Sequence, residues 1–472
     1  MEIYDFIHGN IIIDDLAKRI INTEEFQRLR SIKQLGCCNY VFPSAVHTRF
    51  EHSLGVYHLS KKYIQILNTD GQFTEEDIKC ITIGALIHDI GHGPYSHLFD
   101  EVICTENKSG IPQDHEYRSI NLLKHMNKKY GLELSENDIT KIDKIIYPKK
   151  RLTSWRWCVN KEEPFSGELY GALKRQNQVL EKEGKNYIYQ IVSNNNGIDV
   201  DRFDYIMRDI KMTGLNYGIE YERIMNHSQI VDGEIVYSEK VKTSIDEFFR
   251  IRFIMYKEVY NHHTVRAIEY MMKDFITGMD KIMNIGDMIE NENWEGFIRL
   301  NDSIIEEIYI YKKLWDKMLE NEATCADYVS SGYLDLFGEW DSDWGYLSQE
   351  EKDELSVQDY EDRCEIGMKN KGIEIDKLIE LIHNIRIRNI YKSVGEIISD
   401  SKIELDGYNT EHIIVDSVKL SHNGKVKCTY IQNRETVNKS LTIQNKDQYV
   451  TTIYYKAEEH KGEAEQLYDK LK

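Results

Sequence analysis

A thirteen-residue stretch, from His88 to Asp100, concentrates side chains that can bind metal ions or move protons. It contains three histidines and two aspartates, with two glycines and a proline between them. Imidazole and carboxylate groups are ligands for divalent transition metals. Because adjacent helical residues diverge by about 100°, His88 and Asp89 can share one ion only at a helix end, with further ligands from elsewhere. The stretch predicts a metal site, and an ordinary hydrogen-bonded His-Asp pair is the alternative.

His52 is a candidate for a further ligand. It heads an apolar helical stripe that continues with Val56, Leu59 and Tyr63, since these positions fall on one face of a helix. A histidine in this position is either a core side chain with a satisfied hydrogen bond or, together with the His88-Asp89 pair, a third ligand.

A second polar face is predicted between Asp201 and Asp209. The run Ser193–Gly197 is rich in asparagine, and such residues break the chain before a new helix. Asp201, Tyr205 and Asp209 are spaced by four residues and therefore share one face of that helix. Two carboxylates and a phenol on one stripe indicate a functional surface, and a solvated acidic face is the alternative.

Helices must position these side chains. The apolar run Ile81–Ile87, preceded by the capping-box residues Thr74 and Asp77, predicts a buried helix that delivers His88 to its last turn. Only five prolines occur in the chain, and helical periodicity is widespread. After about residue 395, β-branched residues alternate between turn signals. We therefore expect a mainly α fold, with a helical core over residues 1–395 and a small C-terminal α+β lobe over residues 396–472.

Composition and charge limit the classes of function. The chain is 41% hydrophobic and 30% charged, which is ordinary for a globular protein. No apolar run approaches the roughly 18 residues of a membrane span, and the N-terminus is acidic where a signal peptide would be basic. We expect an intracellular, cytoplasmic protein with no membrane partner, and the nucleus is an alternative location. A formal charge of −20 argues against a general nucleic-acid surface, and eight cysteines without a Cys-x-x-Cys pair indicate reduced thiols.

Taken together, His52, His88-Asp89 and Asp201 resemble the metal pattern of the HD-domain phosphohydrolases. The chain is most similar to the dNTP triphosphohydrolase branch, in particular its animal members with a sterile-alpha-motif domain, although that domain is not expected here. The likeness lies in the strings Ile7–Gly9, Phe26–Gly36, Val41–Pro43, Arg49–Gly55, His88–Asp100, Asn196–Asp201 and Arg388–Gly395. The helical core is then expected to be an HD domain.

The resemblance implies one divalent transition metal held by His52, His88, Asp89 and Asp201. Two imidazoles and two carboxylates suit iron, manganese, zinc or nickel, and Mg²⁺ is an additional candidate on the substrate phosphates. A bound ion of this kind acidifies water and polarises a phosphoryl group. The resemblance further implies that His97, oriented by Asp100, is the general acid and that His92 and His115 lie near the phosphates.

Substrate contacts are also implied by the resemblance. Arg49, Arg202 and Arg252 would bind the triphosphate through guanidinium forks, with Arg202 standing where the family has lysine. Tyr205 would pack against C2′ and exclude a 2′-hydroxyl. The remaining contacts would be Asp209 and Gln34 on the 3′-hydroxyl, Leu35 on the base, and Tyr260 and Asn261 at the family's Tyr-Gln pair.

The favoured hypothesis is a metal-dependent hydrolase that splits a dNTP into deoxynucleoside and triphosphate. An HD phosphohydrolase acting on a cyclic or monophosphate nucleotide and a non-catalytic nucleotide-binding protein are the alternatives. The family also implies a homo-oligomer, a dimer or a tetramer. Gln27 and Arg30 match a regulatory guanine-nucleotide site, but Asn22 replaces its aspartate, and Tyr237 stands where a second site uses a cation. We therefore predict hydrolysis without an obligatory GTP activator.

Overall fold

Helices form most of the chain that the structure describes, which confirms the predicted mainly α fold. The computed structural model describes residues 1–106, 114–147, 184–320, 357–400, 403, 411–420, 426–432, 435–441 and 448–472. These residues fall into two units, one formed by Met1–Ala267 with Lys392–Lys472 and the other by Ile268–Tyr391. The predicted domain boundary at residue 395 stays a prediction, because these two units divide the chain after Ala267 and after Tyr391.

The helices, in chain order, are α1 (Asp15–Ile21), α2 (Glu24–Gln27), α3 (Arg49–Leu67), α4 (Glu75–Ile87), α5 (His97–Glu106), α6 (His115–Tyr130), α7 (Glu136–Ile146), α8 (Tyr187–Gln190), α9 (Val200–Thr213), α10 (Tyr221–Asn226), α11 (Lys242–Met255), α12 (His263–Met283), α13 (Ile285–Glu290), α14 (Trp294–Phe297), α15 (Ile304–Glu320), α16 (Val357–Arg386) and α17 (Lys461–Leu471). A π-helical turn, Tyr256–Tyr260, follows α11. None of the described helices is long and apolar enough to cross a membrane.

Side-chain caps fix where the site-bearing helices begin. The predicted capping box at α4 is present, because Thr74 Oγ1 accepts from the Asp77 amide at 3.1 Å and Asp77 accepts from the Thr74 amide at 3.0 Å. At α9, Asp199 accepts from the backbone amide of Arg202 at 3.0 Å. These bonds satisfy amides that the first helical turn leaves free, so each helix starts at a fixed residue.

Nine strands form three small sheets among the described residues. β1 (Glu2–Asp5) and β2 (Gly9–Ile12) form an antiparallel hairpin at the N-terminus. β3 (Ser228–Val231), β4 (Glu234–Ser238), β7 (Val426–Gln432) and β8 (Glu435–Leu441) form a four-stranded sheet in that order. β5 (Lys392–Ser399), β9 (Gln448–Tyr455) and β6 (Ile413–Leu420) form the third sheet. The strands predicted after residue 395 are therefore present, and two of them extend a sheet that starts with the hairpin β3–β4.

The core of the first unit forms where α3 packs against both α4 and α9. Tyr57 and Tyr63 on α3, Leu86 on α4 and Phe203 on α9 are fully buried. Burial of such side chains is the main favourable contribution to folding. This packing brings the N-terminal half of α3, the end of α4 and the start of α9 together.

Candidate metal and catalytic site

Two imidazoles meet where α3 and α4 pack together. Nε2 of His52 lies 3.2 Å from Nε2 of His88. Nδ1 of His52 lies 2.7 Å from Oδ2 of Asp204, and Nδ1 of His88 lies 2.9 Å from the carbonyl oxygen of Ala85. Because each Nδ1 faces an acceptor, each ring donates through Nδ1 and directs the lone pair of Nε2 into the site.

Two carboxylates complete this cluster. Oδ1 of Asp201 lies 3.2 Å from Nε2 of His52 and 3.6 Å from Nε2 of His88. Oδ2 of Asp89 lies 3.5 Å from Nε2 of His52, and its Oδ1 lies 3.5 Å from Nε2 of His88. The structure thus brings His52, His88 and Asp201 together as a group that could hold a metal ion. Asp89 adjoins this group, with its Oδ2 paired to Arg49, and we call the four residues the metal-ligand cluster.

The spacing and chemistry of these atoms fit a divalent metal ion. Nitrogen ligands lie about 2.0–2.1 Å from such an ion, so two of them at tetrahedral or octahedral angles are about 2.8–3.4 Å apart. The observed separation of 3.2 Å falls in this range. Two nitrogen and two carboxylate donors suit a transition metal such as iron, manganese, zinc or nickel.

The negative charges of the carboxylates in this cluster also favour a bound cation. Burial lowers the pKa of His52, but hydrogen bonds with Asp201 and Asp204 outweigh it and raise the pKa to about 10. Burial raises the pKa of Asp201, whereas its contacts with His52 and His88 lower it below the ordinary value. Without an ion, protons on the imidazoles balance these carboxylates. A divalent cation would take over that role and release the protons.

Asp204, which the sequence analysis did not single out, orients His52. Its carboxylate is fully buried and accepts from Nδ1 of His52. Gly55 makes room for it, because a Cβ at that position would lie 1.9 Å from Oδ1 of Asp204. The signal in the sequence was the position of Asp204, one helical turn after Asp201 and next to the tyrosine that was noted.

A second cluster contains the four predicted catalytic residues, which are His92, His97, Asp100 and His115. Each offers a nitrogen or oxygen within 4.8 Å of the others. The rings of His92 and His115 are stacked, with centroids 3.8 Å apart. Nε2 of His92 lies 3.4 Å from Oδ1 of Asp89. The second cluster therefore adjoins the metal-ligand cluster through Asp89.

Asp100 holds His115, and this corrects the expectation that it orients His97. Oδ2 of Asp100 lies 2.6 Å from Nδ1 of His115 but 4.0 Å from Nδ1 of His97, which is beyond hydrogen-bond distance. The other oxygen accepts from Arg118. The His97 side chain is 71% exposed. The His-x-x-Asp spacing put both residues on one helix face, but a histidine from α6 and a buried arginine take up the carboxylate.

The two stacked imidazoles differ in protonation. Burial, together with the charges of Arg49 and His115, holds the pKa of His92 well below its usual value. Burial also lowers the pKa of His115, but Glu116 and Asp100 outweigh it and raise the pKa to about 9. At neutral pH, His92 is neutral and His115 carries a positive charge beside the metal-ligand cluster.

The loop before α5 carries backbone strain. Tyr95 and Ser96 have φ values of 59° and 61°, in the left-handed region that non-glycine residues rarely adopt. Ser96 Oγ accepts from Nε of Arg49 at 2.8 Å and donates to the carbonyl oxygen of Lys33 at 2.7 Å. These bonds hold the strained turn and set the direction in which α5 and His97 leave it. The sequence analysis did not foresee this role of Ser96.

Three predicted phosphate-binding arginines lie around the site in different states. Arg49 is buried and donates to both Asp89 and Ser96, and Arg202 pairs with Asp199. Arg252 lies beside Tyr205, where its charge opposes the rise that burial causes in the pKa of the phenol. Nε of Arg252 is buried without a hydrogen-bond partner among the described residues. Arg252 therefore has unused donor capacity.

The predicted sugar-binding carboxylate is held from two sides. Asp209 Oδ2 accepts from the hydroxyl of Tyr260 at 2.6 Å, and Oδ1 lies 2.7 Å from Nε2 of His47. His47, a neighbour of the Arg49–Gly55 string, was not singled out. Oε1 of Gln34 is buried without a partner in the part of the chain that the structure describes, and Leu35 next to it is half-buried.

Other predicted residues are engaged elsewhere in the chain. Asn261 donates to the carbonyl oxygen of Tyr256 at 2.7 Å, so its amide closes the π-helical turn. Arg30 donates to Gln27 at 2.9 Å, and Gln27 donates to the carbonyl oxygen of Ile21 at 2.7 Å. Tyr237 is fully buried in β4. The sequence analysis aligned Tyr237 with a cation of the second regulatory site, and its buried ring offers no charge to a nucleotide phosphate. The loss of that site stays a prediction.

Comparison with known protein families matches two models to this chain. The HD domain model matches residues 49–207, and the HD associated region model matches residues 219–309. The first range begins at α3 and ends within α9, so it contains all four predicted metal ligands.

Curated relatives match over a large part of the chain. The Deoxynucleoside triphosphate triphosphohydrolase SAMHD1 homolog of Dictyostelium discoideum is 30% identical over 469 residues, which cover 94% of this chain and 73% of that protein. The Putative HD domain-containing protein L394 of Acanthamoeba polyphaga mimivirus is 37% identical over 327 residues, covering 64% and 62%. Human Deoxynucleoside triphosphate triphosphohydrolase SAMHD1 is 32% identical over 326 residues, covering 67% and 49%. The chain thus spans about half the length of the human relative.

Proposed function

The chain belongs to the family of SAMHD1-like dNTP triphosphohydrolases, and from that membership we propose that it hydrolyses a dNTP to a deoxynucleoside and inorganic triphosphate. The observation that carries the proposal is the pair of Nε2 atoms of His52 and His88, 3.2 Å apart. Their Nδ1 atoms face acceptors, so both lone pairs converge on one point beside Asp89 and Asp201. An ion that binds there would be a divalent transition metal.

A bound ion would supply Lewis acidity, which lowers the pKa of a coordinated water and polarises a phosphoryl oxygen. The protein residues would provide the remaining functions. Asp204 keeps the Nδ1 proton of His52 in place, and Arg49 pairs with Oδ2 of Asp89 and fixes that carboxylate. Burial of His52, His88 and Asp89 strengthens these electrostatic interactions.

The second cluster would handle the leaving group. His97 is the exposed member, so it can reach a substrate. Desolvation and the charges of Arg49 and His115 lower its pKa to about 4, so it would donate a proton to the departing oxygen once the negative charge of a bound triphosphate raises that pKa. His115, charged because its pKa is about 9, would stabilise negative charge that develops on the phosphates. Asp100 fixes the ring of His115. General acid catalysis of this kind typically contributes about 10²–10⁴-fold in rate.

Two buried polar atoms without hydrogen-bond partners support the proposal that a nucleotide binds next to the metal-ligand cluster. A buried polar atom without a hydrogen bond costs free energy, and ligands commonly supply the missing partner. Nε of Arg252 and Oε1 of Gln34 are such atoms, one a donor suited to a phosphate oxygen and the other an acceptor suited to a hydroxyl. Tyr205, between the metal-ligand cluster and Arg252, would lie against the sugar.

The products test this proposal. Purified protein, loaded separately with Mn²⁺, Fe²⁺, Zn²⁺ or Ni²⁺ and with Mg²⁺ present, is incubated with each dNTP, and the products are separated by ion-exchange chromatography. We expect deoxynucleoside and triphosphate in equal amounts. Release of monophosphate or pyrophosphate would instead identify a phosphohydrolase of another type. Absence of turnover with retained nucleotide binding would identify a binding protein.

A further inference from the structure

The N-terminal hairpin reaches the metal-ligand cluster through one side chain. His8 lies in the turn between β1 and β2, and its Nε2 is 2.6 Å from Oδ1 of Asp204. The His8 side chain is only 1% exposed, whereas Tyr4 and Phe6 on the same hairpin are 76% and 72% exposed. The hairpin therefore exposes these two aromatic rings and buries the His8 imidazole against Asp204.

Asp204, whose carboxylate contacts His8, has four hydrogen-bond partner atoms in all. Oδ1 of Asp204 also accepts from Nη2 of Arg208 at 3.0 Å. Oδ2 accepts from Nδ1 of His52 and from Nε of Arg208 at 2.9 Å. A carboxylate offers about four acceptor positions, and all four are used here. No position of the Asp204 group can shift without losing one of these bonds.

Arg208 makes a second contact between α9 and the N-terminal hairpin. Its Nη1 donates to Oδ2 of Asp5 at 2.8 Å. The other oxygen of Asp5 accepts from the backbone amides of Ile7 and His8, both at 2.9 Å. The bonds to the amides shape the turn that points His8 inwards. The hairpin turn, Arg208, Asp204 and His52 thus form one continuous hydrogen-bonded chain.

We propose that His8 is a positioning residue for the metal ligand His52 and acts through Asp204, so that docking of the N-terminal hairpin and metal binding stabilise each other. Partners that orient a ligating histidine set its tautomer and ring direction. Coupling between two binding events is reciprocal, so the ion must also tighten the hairpin. The inference rests on the proposed metal site and needs no assumption about the nucleotide.

The variants His8→Ala and His8→Gln test the role of the donor. Glutamine keeps an N–H donor, and Asn10→Ala is the control, since Asn10 is exposed on the same hairpin. Co²⁺ affinity is measured for each full-length protein by competition with a chelating dye. We expect His8→Ala to weaken Co²⁺ binding by about 10-fold or more, His8→Gln to recover part of that loss, and Asn10→Ala to bind as the wild type does.

Hydrogen exchange provides a second readout that a purely structural role would not change. In the wild type, Co²⁺ should slow amide exchange in residues 1–13 and leave α7 unaffected, and this slowing should be absent in His8→Ala. Tight Co²⁺ binding by His8→Ala, or hairpin protection that does not respond to Co²⁺, would overturn the inference. Co²⁺ binding that survives Asp201→Ala would instead show that the proposed metal centre is wrong.

Discussion

Nδ1 of His115 lies 2.6 Å from Oδ2 of Asp100, in a pair whose side chains are only 16% and 13% exposed. This contact joins α6 to α5 and couples folding to pH. Burial disfavours the charged imidazole, but Glu116 and Asp100 raise its pKa from 6.5 to about 9. A raised histidine pKa contributes stability that is complete below about pH 6.5 and is lost as the pH rises through about 9.

We therefore predict that the free energy of unfolding falls between pH 6.5 and 9.5 more steeply in the wild type than in His115→Gln. This rise in the pKa of His115 corresponds to about 3 kcal/mol in the free energy of unfolding. Urea denaturation at a series of pH values measures that free energy. His227→Gln is the control, because His227 is exposed. Parallel pH profiles for the wild type and His115→Gln would contradict the prediction.

Asp201→Ala should remove the metal while the protein stays folded. The residue lies in the first turn of α9 and is partly exposed, so its truncation opens no core cavity. Loss of an outer-shell partner already costs about 10- to 100-fold in metal affinity, and loss of a ligand should cost at least that. Metal content by mass spectrometry and the circular dichroism spectrum are compared with those of Asp15→Ala, an exposed control. Full turnover in Asp201→Ala would exclude this ligand set.

Gly55→Ala should disrupt the site from within the core. The added Cβ would lie 1.9 Å from Asp204 Oδ1, so the carboxylate must move away from His52. Overpacking typically costs about 1–3 kcal/mol. Gly218→Ala is a matched control, since a Cβ there meets nothing within 4 Å. Thermal unfolding and metal retention of the two variants give the comparison, and equal values for both would contradict the close approach.

Tyr205 should determine the preference for deoxyribose. Its ring centroid lies 6.5 Å from that of His52, close enough to crowd a 2′-hydroxyl on a nucleotide bound at the metal. The ratio of kcat/KM for dATP to that for ATP should exceed one in the wild type, fall in Tyr205→Ala and persist in Tyr205→Phe. Equal rates on both nucleotides in the wild type would argue against this pocket.

Hydrolysis should not require GTP. Arg30 lies 3.5 Å over the ring of Phe50 and donates to Gln27, so both predicted regulatory side chains are engaged within the chain. Hydrolysis of dTTP is measured with and without GTP, while light scattering reports the mass of the homo-oligomer. A strict GTP requirement together with nucleotide-driven assembly would show that this protein binds an activator through other residues.

The sequence allowed prediction of the helix starts from residue type and local spacing, and the resemblance to the HD-domain phosphohydrolases supplied the four candidate metal ligands. The Thr74 cap and the His88-Asp89 pair are local patterns, and the spacing from Asp201 to Tyr205 follows from helical geometry. Contacts that depend on tertiary packing were missed. His8 and Asp204 are 196 residues apart, and no local pattern pairs them.

The second cluster illustrates the same limit at shorter range. The spacing of His97 and Asp100 suggested a pair on one turn of α5. Asp100 instead bonds His115 and Arg118 from α6, because that buried arginine and imidazole lie on the inner face of the neighbouring helix. The positive φ values of Tyr95 and Ser96 arise from such contacts and have no signature in the residue types.

The parallel pairing of β4 with β7 has a consequence for synthesis of the protein. Tyr237 pairs with Tyr430, so translation at about 5–20 residues per second separates the two strands by about 10–40 s. During that interval, the nascent chain holds β4 with one open edge, a hydrogen-bonding surface that other chains can join. Crowded polysomes making this protein would therefore benefit from a chaperone that covers β4 until β7 emerges.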